Sequence, residues 1–248
     1  MFALSILLGL ITGGLLGLLG GGGSVVAVPI LVYVLGFNAK TAIATSLVIV
    51  GLASILATIS HFRRNNVFVR TALVFGGAGA AGSYLGAIAG KHIPDQVQLV
   101  LFAALMALIA VLMLKRRASI AEPSANESNL LRVLFAGFGA GFLTGLLGVG
   151  GGFIIVPALT FAVRLSIKQA VGTSLMVIAI NSLVGAAVYA GSLTFNGGIM
   201  PFVVATLAAA PAAAHFADHV RQAQLKTAFA VTLLALSGFM LAKQVFGF

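Results

Sequence analysis

The sharpest chemical feature of this 248-residue chain is a pair of glycine clusters, GLLGGGGSVVAVP at 17–29 and GLLGVGGGFIIVP at 145–157. Each glycine costs a helix about 1 kcal/mol relative to alanine, so four within five residues should break it. A short helix restarting at Val25 or Phe153 would then turn unpaired peptide N–H groups toward the break, and such an end attracts anions. A glycine turn also lets the backbone approach a ligand with no Cβ in the way. The donors would come from Gly21, Gly22, Gly23 and Ser24 in the first cluster and from Gly150, Gly151 and Gly152 in the second. Neither cluster is a P-loop, because Gly23-Ser24 and Gly151-Gly152 supply no Lys-Ser/Thr pair. Glycines also serve close helix packing in membranes, and Gly9, Gly13, Gly17 and Gly137, Gly141, Gly145, spaced by four, fit that use well.

A second paired feature is FNAKTAIATS at 37–46 against LSIKQAVGTS at 165–174. Asn38 and Ser166 are suitable N-caps, which puts Lys40 and Lys168 in a first turn as interface anchors. Thr45, Ser46, Thr173 and Ser174 then lie about two turns further in. Hydroxyls there can donate to an anion or bond their own preceding carbonyls, and the two readings balance. Asn181 follows two turns on as a polar lining residue, with Ala53 at the corresponding place in the first half.

Ionisable groups set a negative constraint. The four acids are Asp95, Glu122, Glu127 and Asp218, all in predicted loops or at helix ends. Proton relays and cation sites usually place a carboxylate mid-membrane, so a cation carrier built on Asp or Glu is disfavoured. His61, His92, His215 and His219 also fall near predicted ends and read as interfacial; His215 and His219 are i,i+4 but have no third metal ligand. No nucleophile–base arrangement is present, so the chain reads as a non-enzyme without metal or cofactor.

The elements that must position these groups follow from composition. Hydrophobic residues make up 60% and charged residues 7%, with a mean hydropathy of +1.17. Soluble domains carry roughly a quarter charged residues, so this composition belongs to a polytopic membrane protein. The net charge of +10 invites a nucleic-acid reading, but the basic residues are scattered between apolar runs and nucleic-acid binding is set aside. With no cysteine, disulfides and thiolate metal sites are excluded. The first twenty residues lack a basic start and read as membrane segment rather than signal peptide. Apolar runs at 41–62, 69–90 and 96–114, and again at 130–147, 170–190, 198–217 and 224–245, suit helices crossing about 30 Å of hydrocarbon.

The restart is an internal duplication. A shift of 128 lays residues 13–47 on 141–175 without gaps, with 16 of 35 pairs identical. The expected division is a first repeat over 1–114, a cytoplasmic linker over 115–132 and a second repeat over 133–248, all in one membrane domain. Loop charges bear on their relative orientation, since Lys and Arg favour the cytoplasmic side. If each Gly-broken segment is a hairpin, 11 of the 14 basic residues fall inside and only Lys40, Lys91 and Lys243 fall outside; if each crosses an odd number of times, the division is eight to six. The expected fold is therefore all-α, with two inverted repeats, each a Gly-broken hairpin plus three spanning helices; parallel repeats of four spans are the alternative.

The duplicated glycine–proline element, the Ala42–Ser46 and Ala170–Ser174 stretches, and the His61-x-Arg63-Arg64 loop together resemble the TauE/SafE family of sulfite-exporter-like permeases. The resemblance covers nearly the whole chain. Members often carry an Ile-Asp-Trp-like group after the basic loop, where this chain has Val67-Phe68-Val69. The resemblance implies a secondary transporter of a small, sulfur-containing anion such as sulfite or an organosulfonate, in a prokaryotic cytoplasmic membrane. Its partners would be that anion and the lipid bilayer, with H+ or Na+ as the coupling ion. An anion channel and a non-transporting scaffold are the readings from other classes.

Overall fold

The computed structural model describes residues 2–115, 130–147, 151–193, 199–217 and 220–246. Every regular element among them is helical. The first half contains α1 (Phe2–Leu19), α2 (Gly22–Pro29) continued by a π-helical turn (Ile30–Val34), α3 (Ala39–Phe62), α4 (Val69–Lys91) and α5 (Asp95–Lys115). The second contains α6 (Leu130–Leu147), α7 (Gly152–Ala162), α8 (Ile167–Val188), α9 (Met200–Phe216) and α10 (Gln222–Phe246), with a 3-10 turn at Ala190–Ser192. Seven of these helices are long and apolar enough to cross a membrane; α2, α7 and α9 are shorter. Large apolar side chains such as Phe2, Leu73, Phe135 and Val204 are exposed, as a lipid-facing surface requires. The chain is a multi-pass membrane protein. Glu122 and Glu127, most of the expected linker, Asp218 and His219 lie outside the described residues.

Local signals explain the boundaries. The Asn38 side chain accepts from the Thr41 N–H at 2.8 Å, and Ser166 forms a reciprocal capping box with Gln169. α3 and α8 therefore begin where the caps were expected. The short helices before them end alike. Gly36 has φ +74° and its counterpart 128 residues on, Arg164, has φ +62°. The following N–H closes the turn in both, Phe37 to Leu31 at 2.9 Å and Leu165 to Leu159 at 3.2 Å. Lys40, expected as an interface anchor, instead ties helix ends together. Its ammonium donates to the carbonyls of Gly90 at 2.6 Å, Lys91 at 3.2 Å and Ile93 at 2.9 Å, where α4 leaves its last acceptors unpaired.

Packing crosses between the halves. Cβ atoms added at Gly9, Gly13 and Gly17 of α1 would meet the carbonyls of Phe202, Thr206 and Ala210 on α9. Cβ atoms at Gly137, Gly141 and Gly145 of α6 would likewise meet the carbonyls of Phe75, Gly79 and Ser83 on α4. In both pairs the contact positions advance together, so the paired helices run the same way. α4 also advances with α8, since Gly76 meets Ile180, Gly79 meets Asn181, and Ser83 lies beside Gly185. α3 and α8 oppose each other: Gly51 faces Ser182 and Leu183, whereas Leu47 faces Gly185. These two helices bury most of their residues and form the centre.

Candidate functional site

The glycine clusters break their helices as composition demanded. α1 ends at Leu19, and Gly20 takes a left-handed φ of +70° before α2 starts at Gly22. α6 ends at Leu147, and Gly151, with φ +66°, caps α7. α2 folds back along α1, because a Cβ on Gly23 would strike Thr12 and Leu16. α7 folds back similarly, Gly151 lying against the Thr144 hydroxyl. Gly150 lies outside the described residues.

The two breaks meet. A Cβ on Gly21 would land on the Gly152 backbone, and one on Gly152 would land on Gly21 and come within 2.8 Å of Ile178. A Cβ on Gly20 would lie 2.6 Å from the Ser174 hydroxyl and 3.0 Å from the Val171 carbonyl. Gly20, Gly21, Gly152, Ser174 and Ile178 therefore form one junction between the halves, tight enough to exclude side chains. First-turn N–H groups of α2 and α7 open onto it, since no helical carbonyl precedes them.

The hydroxyls predicted to line the site divide into three kinds. Ser24 donates to the Gly21 carbonyl at 2.7 Å, Ser46 to Ile43 at 2.9 Å and Ser174 to Val171 at 2.8 Å. Thr173 accepts the Phe68 N–H at 3.1 Å, which brings the segment after the basic loop against α8. Thr45 is fully buried and its hydroxyl has no hydrogen-bond partner. Asn181 is fully buried too, and neither its amide nitrogen nor its amide oxygen has a partner. It stands three residues beyond Ile178, one turn past the junction, with its amide over Gly79.

Sequence reasoning missed several neighbours. Thr144 and Ile178 touch the breaks, Phe68 binds Thr173, and Ser54 and Ser182 are buried hydroxyls with no partner. The two serines are 128 residues apart, so carrying the repeat alignment seven positions beyond Leu47 would have found them. His61, expected at an interface, is 2% exposed, and its Nε2 lies 3.2 Å from the Gly17 carbonyl. Its position against α1, which ends at the first break, pulls it inward. Arg64 donates to Nδ1 of His215 at 2.8 Å.

A bundle whose halves meet through two broken helices defines a class of integral membrane proteins built around a central backbone junction. A family model described as "Sulfite exporter TauE/SafE" matches residues 5–240, and the chain belongs to that family. It is 40% identical over 195 residues to a probable membrane transporter protein of Xylella fastidiosa strain Temecula1, covering 76% of this chain and 74% of the relative. It is 31% identical over 248 residues to the probable membrane transporter protein YdhB of Bacillus subtilis, covering 96% and 99% respectively. A Methanocaldococcus jannaschii probable membrane transporter protein is 30% identical over 221 residues, covering 85% and 82%. No solved structure matches the chain significantly.

Proposed function

We propose that this chain is a secondary transporter for a small, oxygen-rich anion, with sulfite or an organosulfonate as its substrate class, in a prokaryotic cytoplasmic membrane. The observation that carries the reading is the Gly21–Gly152 junction, where first-turn N–H groups from both halves open onto one place in a bundle with no carboxylate in α3, α4 or α8. Donors without a fixed cation hold an anion firmly enough to bind and loosely enough to release. The family description and the relatives' names support transport and the sulfur-containing class.

The halves are inverted repeats. Supporting this, α3 opposes α8, its counterpart, while α1 runs with α9 and α6 runs with α4. The loop charges, divided 11 to 3 across the membrane, support it as well. In the arrangement seen, the glycine contact closes the junction. Parting the two breaks admits the anion, and rocking one repeat against the other exposes it to alternate sides. Thr45, Ser46, Thr173, Ser174 and Asn181 line its path, with Ser46 and Ser174 turning from their own carbonyls to donate.

Reconstituted into liposomes, the wild-type chain should show saturable sulfite or sulfonate uptake with counterflow. Gly21→Val puts a branched side chain onto the Gly152 backbone and should abolish flux while the protein stays monodisperse. Unchanged flux in that variant would remove the junction from the path.

A further inference from the structure

The buried hydroxyls of this bundle follow a rule that two serines break. Thr12, Thr58, Thr144, Thr160, Thr206 and Thr232 all donate to the carbonyl four residues back, at 2.6–2.9 Å. Ser54 and Ser182 do not, although both are fully buried in regular helix and their local carbonyls lie equally near. An unpaired polar group in such a place is expensive, and the nearest local partner would remove the expense. Ser182 faces α3, since a Cβ on Gly51 would sit 3.4 Å from its Cβ. Ser54, three residues beyond Gly51, lies on the same face of α3. The serines are repeat counterparts flanking the crossing of α3 and α8. Beside Ser182 stands Asn181, also fully buried, with both ends of its amide unpaired. Its backbone carbonyl is occupied, accepting from the Ser83 hydroxyl at 3.0 Å, so the orphaned atoms are those of the side chain.

We propose that the α3–α8 crossing is a second binding station for the transported anion, formed by Ser54, Ser182 and Asn181, and that it selects anions bearing their own hydrogen-bond donor. The proposal rests on the anion-transport reading and extends it one turn beyond the glycine junction. A cation fits the crossing poorly, because α3, α4 and α8 carry no acid to offset it. The two hydroxyls and the amide nitrogen donate to the anion's oxygens. The amide oxygen can only accept, and an oxyanion without a hydrogen leaves it as unpaired as before. A hydroxyl on the ligand satisfies it. Sites built this way discriminate strongly against analogues lacking the donor. Ala53 at the position equivalent to Asn181 makes this reader specific to the second half.

Two sulfonates differing by one hydroxyl test it: ethanesulfonate and 2-hydroxyethanesulfonate, titrated calorimetrically into the purified full-length chain. The wild-type protein should bind the hydroxylated anion about tenfold or more tightly. Asn181→Leu should raise the thermal midpoint of the ligand-free protein, because an unpaired amide is gone, and should bring the two affinities to within about threefold. Ser54→Ala combined with Ser182→Ala should weaken both ligands about tenfold or more while keeping their ratio, which provides a readout should the leucine variant misfold. Equal wild-type affinities, a ratio preserved in Asn181→Leu, or affinities unmoved in the double serine variant would each overturn the second station and leave the transport reading standing. If sulfite and both sulfonates all fail to bind the wild-type chain, the anion reading itself falls.

Discussion

Arg164 holds a backbone shape that favours glycine: its φ is +62°, and Gly36 holds the counterpart position at +74°. A Cβ in the left-handed region crowds the adjacent carbonyl at a cost of about 1 kcal/mol. Arg164→Gly should therefore raise the thermal stability of the purified protein by up to about 1 kcal/mol, read as a higher unfolding midpoint in the same detergent. A lower midpoint would mean that the arginine side chain contributes more than its backbone costs. Gly36 is readable from sequence as a helix stop, and Asn38 and Ser166 are readable as caps, because those residue types act through their own atoms. Arg164 is not, since its conformation is imposed by the Leu165–Leu159 hydrogen bond that closes the turn. The orphaned serines are hidden for a related reason. A helical serine normally satisfies itself, and only the absence of that bond distinguishes Ser54 and Ser182.

Among the elements, the glycine stripes of α1 and α6 separate two uses of one residue type. Gly13 faces α9, where an added Cβ would meet the Thr206 carbonyl and come within 2.9 Å of the Ala209 methyl, whereas Gly14 has nothing within 4 Å. Gly13→Leu should cost about 1–3 kcal/mol by forcing α1 off α9. Gly14→Ala should be neutral or add up to about 1 kcal/mol through helix propensity. Thermal unfolding of the two variants side by side checks the contrast, and equal effects would show that the stripe is not an interface. The four-residue spacing made packing legible, yet it carries no address: nothing in the stripe of α1 names a helix from the other half as its partner. The break at each glycine cluster was legible for the converse reason, since helix propensity is local and each short helix restarts within the same chain segment. The π-helical turn after Pro29 was not legible. Pro157 occupies the corresponding place within an unbroken α7, so proline alone does not decide it.

For the whole molecule, inverted repeats require equivalent loops on opposite sides of the membrane. Arg64 and Ser192 lie 128 residues apart and should be labelled from opposite faces when each is replaced by cysteine and probed with an impermeant thiol reagent. The native chain has no cysteine, so background labelling is nil, and reaction of both from one face would overturn the inversion. The duplication itself was readable from identity at a fixed offset. How the two copies combine was not, because repeat identity records ancestry and leaves the docking surface unspecified. The crossed pairing of α1 with α9 and α6 with α4 also bears on biogenesis. Synthesis delivers the first half to the membrane well before its partners exist. Until then, the backbone-lined faces at Gly9, Gly13 and Gly17 on α1 and at Gly79 and Gly82 on α4 must be covered by lipid or by an insertion factor. A ribosome stalled in the linker would hold a complete set of first-half helices without either of these interfaces. The final fold thus forms late, by threading each half's glycine faces onto helices that arrive last.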